Sequence, residues 1–408
     1  MTDQRMVRGE GVYLYDQDGR AYLDCGAGTF NMSLGYQHPA VVQAIKDQAD
    51  QLIDTAARFQ TDPVNKLARR LVDLAPSRIT KAHLNVSSGS TANEGAIKMA
   101  QHATGKRDVV TTFRAHVGQT MWMLSLSGNA FRKQPFPMLV PGSLQVPDPY
   151  CFRCFYAQEP GSCRMMCVDR INDFLEYASS GNVAAILVEA ISGNGGNIVP
   201  PPGYFQQLRS LCDEHGIMLI LDEIQTGIGR TGRMFAAEHF GVEPDAMTLG
   251  KGLGGSGAAV AAILASEPMT GLAATEHSFT YGTNLMASAA ALATLDVIDD
   301  EAFLANVRAT GARIMERLAL LQTAFPVIGD VRGVGLMIGI EIVGTDRSPN
   351  VELANLLAEK AMEHGLIIRP SRSGKGNVLK IKPPLVLTLA EADLICDRLE
   401  QLFRAHCR

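Results

Sequence analysis

Three residues able to do chemistry follow short apolar runs in the middle of the chain. Glu189 ends the run that begins at Val183, and Asp222 ends the run that begins at Ile217. Lys251 comes after a third short apolar run and lies among glycines, where other backbone can approach it closely. This composition is not typical of a solvated surface lysine.

An acid at a strand end and a lysine in a glycine-rich turn together suit pyridoxal phosphate. This cofactor needs a lysine for its Schiff base and an acid to keep its pyridine nitrogen protonated. The protonated ring then acts as the electron sink for a carbanion. Spacing alone leaves an alternative open, in which Asp222 caps a helix and Lys251 is a surface charge.

The elements that would position these residues form a βαβ unit. Residues 183–188 and 217–221 are apolar at every position, which is typical of strands buried on both faces. Between them, residues 203–215 carry apolar side chains at helical spacing, and Gly216 ends that helix. The two strands should therefore be parallel, with both acids at the edge where open α/β sheets bind ligands.

A second pattern, at residues 84–100, joins an apolar strand to a helix through small polar residues. Backbone N–H groups at a helix start, with the positive end of the helix dipole, form an anion site. As a bare pattern the signal is weak, because serine-rich helix starts are common and many bind nothing.

Other elements follow from turn signals and periodicity. A hairpin is predicted at 9–25, where an Asp-Gly turn separates alternating apolar residues. Helices are predicted at 39–58 and 63–75, each with proline in its first turn. A long helical stretch is expected at 286–320, and an amphipathic helix at 389–403 closes the chain.

Several of these motifs resemble the signatures of class-III aminotransferases, fold-type I enzymes related to ornithine and 4-aminobutyrate aminotransferases. The similarity is carried by DEIQTGIGRTG at 222–232 and TLGKGLGG at 248–255, and it continues in family order across nearly the whole chain. It implies an α/β, fold-type I fold with a mostly parallel central sheet in a large domain and a smaller α+β domain formed by both termini. The implied boundaries are 1–40 for the N-terminal segment of the small domain, 41–288 for the large pyridoxal-phosphate-binding domain and 289–408 for the C-terminal small domain.

The resemblance also assigns roles in a cofactor site. Lys251 is implied as the Schiff-base lysine and proton carrier, and Asp222 as the partner of the pyridine nitrogen. Gln225 is implied to bond the ring oxygen O3′, and Glu189 to order either Gln225 or the substrate side. The other implied contacts are Gly89 and Ser90 with the phosphate, His116 and Ile224 on opposite faces of the ring, and Thr280 with the phosphate of the partner's cofactor across a homodimer interface. His116 has an alternative as a loop residue with no cofactor contact.

Four residues are implied at the substrate side: Phe30, Asn31, Asn194 and Lys380. Phe30 has an alternative as a buried residue of an apolar turn. By register, Lys380 replaces the arginine that clamps the α-carboxylate in dual-substrate members, and Asn194 replaces the glutamate that masks it. A lysine meets a carboxylate as a point charge without the planar fork of arginine. Some relatives with lysine there act on amines that lack an α-carboxylate, or catalyse elimination. The sequence therefore does not predict binding of ordinary α-amino acids or 2-oxoglutarate.

The implied reaction moves an amino group from an amine or amino acid to a keto acid or aldehyde. The alternative is another outcome at the same carbanion: racemisation or epimerisation, β- or γ-elimination or replacement, or decarboxylation. These reactions differ in which bond aligns with the ring, and the sequence does not report that angle. A non-enzymatic binding protein on this scaffold is a third class, and the intact Lys251, Asp222 and phosphate loop argue against it.

Four cysteines in a proline-rich segment form two pairs, Cys151 with Cys154 and Cys163 with Cys167. Such pairs can hold zinc as thiolates. The three-residue gap of the second pair is less usual for a zinc site, so free or fortuitously paired thiols are the alternative. This segment corresponds to a loop that often varies in the family, which favours a structural or interface role over a catalytic one.

Composition narrows the class of protein. The 408 residues are 46% hydrophobic, enough for a large core, and the net charge is -5. No basic block stands out, which disfavours nucleic acid as the main partner. No apolar run approaches the roughly 18–20 residues of a membrane span, and the first residues lack a signal-peptide core. We therefore expect a cytoplasmic protein with mostly reduced cysteines.

Overall fold

The structure, a computed structural model, describes residues 4–128, 130–273, 275–371 and 376–407. Within these residues the strands form three sheets. The strands are β1 (Met6–Glu10), β2 (Tyr13–Asp16), β3 (Ala21–Asp24), β4 (Ile79–His83), β5 (Asp108–Thr112), β6 (Ser143–Val146), β7 (Val183–Glu189), β8 (Met218–Asp222), β9 (Ala246–Leu249), β10 (Ala262–Ser266), β11 (Ile328–Val334), β12 (Met337–Ile342), β13 (Leu366–Ile367), β14 (Arg369–Pro370) and β15 (Val378–Ile381).

The α-helices vary from single turns to more than six turns. They are α1 (Ala27–Phe30), α2 (Pro39–Gln51), α3 (Asp62–Leu74), α4 (Gly89–Thr104), α5 (Met121–Leu126), α6 (Ala130–Lys133), α7 (Met166–Asp169), α8 (Ile171–Tyr177), α9 (Tyr204–His215), α10 (Ala236–Phe240), α11 (Leu285–Ile298), α12 (Glu301–Ala324), α13 (Val351–Lys360) and α14 (Leu389–His406). Short 3-10 helices occupy Cys151–Arg153, Lys251–Gly254 and Glu267–Met269. In the described part of the chain, no helix is both long and apolar enough to cross a membrane.

The largest sheet has seven strands in the order β4-β10-β9-β8-β7-β5-β6. The pairs β9–β8, β8–β7, β7–β5 and β5–β6 are parallel. Only β10 runs against its neighbours β4 and β9 within this sheet. The mostly parallel central sheet that the sequence predicts is confirmed.

The unit β7–α9–β8 forms as the apolar runs predict. Helix α9 buries Phe205 and Leu208 against the sheet, and Gly216 ends the helix at a φ of 59°. Strands β7 and β8 are parallel, and Glu189 lies directly opposite Asp222 in their register. Both acids therefore occupy the carboxyl edge of the sheet.

Both faces of the central sheet are covered, which explains why its strands are apolar at every position. In β8, Leu219 packs with the cluster that includes Phe205 of α9. The next residue, Ile220, points to the opposite face and packs with the cluster that includes Ile97 of α4. Successive strand residues point to opposite faces, so a sheet covered twice needs apolar residues at both parities.

The two smaller sheets are built from both ends of the chain. One has the order β1-β2-β3-β13, in which Leu366 of β13 pairs with Leu23 of β3 in parallel. The other has the order β11-β12-β15-β14. Both termini thus contribute to the smaller α+β part, as predicted.

Two predicted helices have different bounds from those observed. The stretch expected at 286–320 is divided into α11 and α12, because Asp300 accepts a hydrogen bond from the Ala302 N–H and caps a new helix. The helix expected at 39–58 ends at Gln51, since Leu52 adopts an extended conformation. The hairpin predicted at 9–25 is present as β2 and β3, with β1 added at its edge.

Candidate active site

Asp222 and Lys251 lie at the ends of adjacent parallel strands. Asp222 is the last residue of β8 and pairs in register with Thr248 of β9. Lys251 follows β9 by two residues, and its φ of 42° lies in the left-handed region that few non-glycine residues adopt. Both residues line one cavity of about 180 Å³. The structure thus brings the predicted acid and lysine together.

Burial alters the proton affinity of both groups. It raises the pKa of Asp222, against the lowering effects of Lys251, Asn93 and the Ile224 N–H. Burial also lowers the pKa of Lys251 below 10.5, although Asp222 and Glu189 act to raise it. The Lys251 amine therefore becomes neutral, and able to act as nucleophile or base, at a lower pH than an exposed lysine.

Asn93 of α4 holds Asp222 in place. Its amide nitrogen donates to Asp222 Oδ2 at 2.8 Å and to the Val117 carbonyl at 2.8 Å. Its amide oxygen accepts from Thr248 Oγ1 at 2.6 Å, and the side chain is fully buried. The other oxygen of Asp222 accepts from the Ile224 N–H at 3.0 Å. The carboxylate is thus fixed by one donor on each oxygen.

The start of α4 lies at the same cavity and has the geometry of an anion cradle. Ser88 caps the helix, and its capping box is completed by Thr91. Ser90 Oγ accepts from the Gln119 N–H at 2.9 Å, which ties the helix start to the loop after β5. A Cβ on Gly118 would lie 2.6 Å from Ser90 Oγ, and one on Gly89 would lie 2.8 Å from an Ile224 methyl. Only glycine leaves this space open.

His116 and Ile224 also line the cavity. Burial lowers the pKa of His116 to about 4, with further lowering by Arg132, Lys251 and Lys380. The imidazole is therefore neutral near pH 7 and can offer a flat face to a ring. Its Nδ1 is buried and has no hydrogen-bond partner among the described residues.

Gln225 also lines the cavity, and Glu189 is bonded to the backbone of His116, which lines it too. The Glu189 carboxylate accepts from the backbone N–H groups of His116 at 3.0 Å and Gly193 at 2.8 Å. Burial and the neighbouring Asp222 raise its pKa to about 7. Gln225 Oε1 accepts from Lys382 Nζ at 2.9 Å. Because the lysine amine donates here, the Gln225 amide nitrogen is left to face elsewhere in the site.

Comparison with known proteins identifies the family. Residues 2–403 match the family model for "Aminotransferase class-III". The chain belongs to the class-III aminotransferases. It is 37% identical over 396 residues to an acetylornithine aminotransferase of Caldanaerobacter subterraneus subsp. tengcongensis, covering 95% of this chain and 91% of that protein. It is also 35% identical over 409 residues to an alanine/serine racemase of Pyrococcus horikoshii, covering 97% and 85%.

Solved structures agree with this assignment. An amine transaminase from an uncultivated Pseudomonas species, determined in its PLP-bound form, superposes with a TM-score of 0.93 at 32% identity. The match covers 99% of this chain and 95% of that one. This class-III aminotransferase is therefore a pyridoxal-phosphate-dependent transferase of fold type I.

The residues at the predicted substrate side lie in two places in the aminotransferase. Phe30 ends the strained turn α1 with a φ of 66°, and Asn31 braces that turn by accepting from the Thr29 N–H at 2.9 Å. The Phe30 ring lies 5.2 Å from Lys380 Nζ, so these two residues meet. Asn194 is buried in the loop that also contains Gly193, the backbone partner of Glu189. Glu189 is thus bonded to the loop that carries Asn194, and its role toward Gln225 or the substrate side stays a prediction.

Thr280 is exposed and does not line the cavity of its own chain. Its segment is anchored by the Phe279 N–H, which donates to Asn85 Oδ1 at 3.1 Å. The contact of Thr280 with a partner's cofactor stays a prediction.

The zinc alternative for the cysteine segment is not supported. In the described ranges, no group of three or more His, Cys, Asp or Glu side chains is placed to hold a metal ion. Cys151, Cys154, Cys163 and Cys167 are free thiols around one small cavity. Burial raises the pKa of Cys167 to about 12, which opposes the thiolate form that a metal requires.

The cysteine segment and the residue before it make structural hydrogen bonds instead. The Tyr150 hydroxyl and the Arg153 guanidinium both donate to the buried carboxylate of Glu341 in β12. Arg332 donates to the same carboxylate at 2.8 Å and to the Gly196 carbonyl at 2.8 Å. The segment is therefore tied to β12, and Arg332 of β11 links the same carboxylate to the loop that carries Asn194.

Sequence reasoning missed two residues of this site. Asn93 is an amide on the alanine-rich buried face of α4. A polar residue on that face was the sequence signal that could have identified it. Lys382 lies two residues after Lys380, and the period of two along a strand would have placed both lysines on one side. Thr91, in the first turn of α4, accepts through its hydroxyl from the Ser88 N–H at 3.0 Å.

Proposed function

We propose that this chain catalyses transamination with pyridoxal phosphate held in the cavity between Asp222 and Lys251. The observation that carries the proposal is this pair: a lysine whose pKa burial lowers and a buried acid fixed by Asn93, lining one cavity. Burying each of these ionisable groups costs free energy. A protein in which they had no function would not be expected to keep both buried.

The cavity suits the cofactor in shape and in chemistry. The start of α4, with Gly89 and Ser90, offers backbone donors and open space to a phosphate. The neutral imidazole of His116 and the Ile224 side chain offer apolar contact to a ring. Gln225 would present its amide nitrogen to the ring oxygen O3′, because Lys382 occupies its oxygen.

Each side chain then has one task. When bound, pyridoxal phosphate supplies a protonated pyridine ring that stabilises a carbanion at the substrate α-carbon. Asp222 holds the proton on the ring nitrogen through its fixed carboxylate. Lys251 Nζ would anchor the cofactor, and as a free amine it would accept and carry the proton that leaves the substrate α-carbon.

A second candidate is racemisation or epimerisation of an amino acid. It is favoured by one observation: relatives at 35–36% identity include an alanine/serine racemase, a leucine/methionine racemase of Thermococcus litoralis and an isoleucine 2-epimerase of Lentilactobacillus buchneri. Racemisation returns the proton to the same α-carbon, whereas transamination moves it to C4′.

A half-reaction distinguishes the two candidates. Purified holoenzyme is mixed with single amino acids and amines in the absence of any keto acid. Transamination predicts stoichiometric conversion of the bound cofactor to pyridoxamine phosphate, measured by absorbance and chromatography, together with release of the keto product. Loss of optical purity in the amino acid without that conversion would establish the second candidate and overturn the first.

We further propose a homodimer in which Thr280 of each subunit contacts the phosphate in the partner's site. The exposure of Thr280 outside its own cavity supports this arrangement. Mixing Thr280→Val and Lys251→Ala chains under subunit exchange tests it. Each homodimer should be weak or inactive, and the mixed dimer should recover one site with normal cofactor affinity. If Thr280→Val alone binds the cofactor normally, the contact is absent.

A further inference from the structure

One irregular segment, residues 276–282, packs on the helix that begins at the cofactor cavity; we call it the Thr280 segment. It carries Thr280, whose side chain is exposed. Its contacts reach α4, the helix whose start places Gly89 and Ser90 at the cavity. The described residues 276–282 form neither helix nor strand. The position of Thr280 therefore depends on the contacts that the segment makes with its neighbours.

His277 is the buried residue of this segment. Its exposed fraction is 3%, whereas Glu276 and Ser278 on either side are exposed. Its Nε2 lies 2.7 Å from the carbonyl oxygen of Thr91 in the first turn of α4. A carbonyl oxygen only accepts, so Nε2 is the donor in this bond. Burial lowers the pKa of His277 below 6.5, which keeps the ring neutral near pH 7 with its proton on Nε2.

Two further contacts place the segment on the same face of α4. The Lys98 amine donates to the Glu276 carbonyl at 3.0 Å. A Cβ on Gly95 would lie 2.6 Å from the imidazole of His277, so the ring lies directly against the helix. Thr91, Gly95 and Lys98 are four and three residues apart, and such positions are neighbours on a helix surface. The segment is therefore attached along one side of α4.

Contacts from β4 and the residues after it hold the other side of the segment. His83, the last residue of β4, donates from Nε2 to the His277 carbonyl at 3.0 Å. The Asn85 side-chain oxygen accepts from the Phe279 N–H at 3.1 Å. His277 thus has bonds from both its ring and its backbone, three residues before Thr280.

Helix α4 depends less on His277 than the segment does. The helix start has its own capping box between Ser88 and Thr91 and the regular hydrogen bonds of a helix of 16 residues. Residues 276–282 have no helix or strand hydrogen bonds to replace a lost side-chain bond. Loss of the imidazole should therefore move Thr280 and leave the helix start in place.

We propose that His277 is a positioning residue that acts in trans: it holds Thr280 of its own chain where Thr280 meets the cofactor phosphate in the partner's site. This inference rests on the proposed homodimer, and it does not depend on which reaction the site catalyses. A substitution of His277 should then weaken cofactor binding in the partner's site. A residue with a purely structural role in α4 would weaken binding in the site of its own chain.

Mixed dimers separate these two effects. Two differently tagged chains are coexpressed and purified through both tags, and one chain carries Lys251→Ala, so that only the site that keeps Lys251 gives the visible absorbance of the bound cofactor. In the first dimer, His277→Leu lies on the Lys251→Ala chain, which supplies Thr280 to the measured site. In the second dimer, His277→Leu lies on the chain that contains the measured site. The apoenzyme of each dimer is titrated with pyridoxal phosphate, and the absorbance gives its Kd.

The first dimer should bind pyridoxal phosphate about tenfold more weakly or worse, because a hydrogen bond to a charged group is lost. The second dimer should stay within about twofold of the mixed dimer that has no change at His277. A general folding defect would weaken binding in both arrangements. Equal effects in the two dimers, or no effect in either, would overturn the inference.

Two further variants at histidines sharpen the result. His277→Gln keeps a side-chain N–H that can donate to the Thr91 carbonyl, and it should restore most of the affinity of the first dimer. His102→Leu removes an exposed histidine in the last turn of α4 and should change neither dimer. If His277→Gln binds as weakly as His277→Leu, the bond to Thr91 is not what positions Thr280.

The Thr280 contact is tested separately in the same mixed dimers. Thr280→Val on the Lys251→Ala chain should weaken binding in the measured site as His277→Leu does. If only Thr280→Val has this effect, the contact stands and the inference on His277 is wrong. If only His277→Leu has it, His277 still acts in trans and another group of the segment makes the contact. If no mixed dimer is recovered, both proposals are wrong, and the half-reaction still decides transamination.

Discussion

The two sides of the candidate active site differ in the partners that their buried charged groups have. At the cofactor side, Asp222 has a donor on each oxygen, and its charge is opposed by Lys251. At the proposed substrate side, two buried lysines, Lys380 and Lys382, lie under the phenyl ring of Phe30. Gln225 accepts a hydrogen bond from Lys382. A group that stays in place during turnover can be satisfied by the protein.

This contrast also separates rigid from strained backbone. Asp222 lies in register inside a parallel sheet, between Glu189 and Thr248. Phe30 lies in an irregular turn with left-handed φ values. Substitutions on the fixed side should affect whether the bound cofactor is functional. Substitutions on the strained side should affect which substrate reacts. Four substitutions examine that division.

The largest effect should come from Lys251→Ala on the cofactor side. Loss of the anchoring and proton-carrying amine should lower kcat/KM by about 10⁴-fold or more and abolish the visible absorbance of the bound cofactor. Steady-state kinetics and absorbance spectra measure both. Lys66→Ala, an exposed lysine, serves as the control. A yellow and active Lys251→Ala enzyme would remove Lys251 from its assigned role.

Asn93→Leu should be next in size. It removes the donor to Asp222 Oδ2 and leaves the Thr248 hydroxyl without its acceptor, which should cost about 1–3 kcal/mol of unfolding free energy. Activity should fall further than stability explains, and the pH at which the cofactor absorbance changes should move. Asn93→Asp, which keeps an acceptor for Thr248 but adds a charge beside Asp222, should not rescue the spectrum. A normal spectrum in Asn93→Leu would show that Asn93 does not position Asp222.

His116→Phe addresses pH dependence on the cofactor side. His116 has a native pKa of about 4, below its ordinary 6.5, so the native state binds fewer protons than the unfolded state between these values. The unfolding free energy of the apoenzyme should therefore fall as pH drops from 6.5 to 4, by on the order of 2 kcal/mol from this group. Phenylalanine keeps a flat ring without a proton site. Urea unfolding at several pH values should show a shallower decline in the variant, and an unchanged slope would contradict the assignment.

Phe30→Leu should have the smallest effect on the scaffold. Loss of the ring above Lys380 and Lys382 should cost about 1 kcal/mol of unfolding free energy or less. The absorbance of the bound cofactor should not change, because Phe30 does not line that cavity. Donor preference should change instead. A variant with an altered cofactor spectrum would show that the two sides are not independent.

The parts of this site that could be predicted share one property: each is signalled locally in sequence. The unit β7–α9–β8 was predictable because strands covered on both faces must be apolar at every position. Asp222 and Lys251 were predictable as candidates because they directly follow such strands. Gly89 and Ser90 were signalled by a strand that passes into a helix through small residues.

The parts that were missed depend on distances between separate elements. Asn93 comes to Asp222 only because α4 packs on the face of the sheet that Ile220 also covers. The surroundings of the Lys382 amine include the ring of Phe30, which is far from it in sequence. The zinc interpretation is not supported for a related reason: pair spacing cannot show that the Cys167 thiol is buried enough to resist ionisation.

The parallel pairing of β13 with β3 has a consequence for synthesis of the chain. Leu366 and Leu23 are separated by about 340 residues, so at a ribosomal rate of about 5–20 residues per second β3 emerges roughly 20–70 s before its neighbour. During that interval β3 presents an open edge on the nascent polypeptide. A chaperone that shields strand edges, or a slowly formed N-terminal hairpin, would protect this enzyme from aggregation during translation.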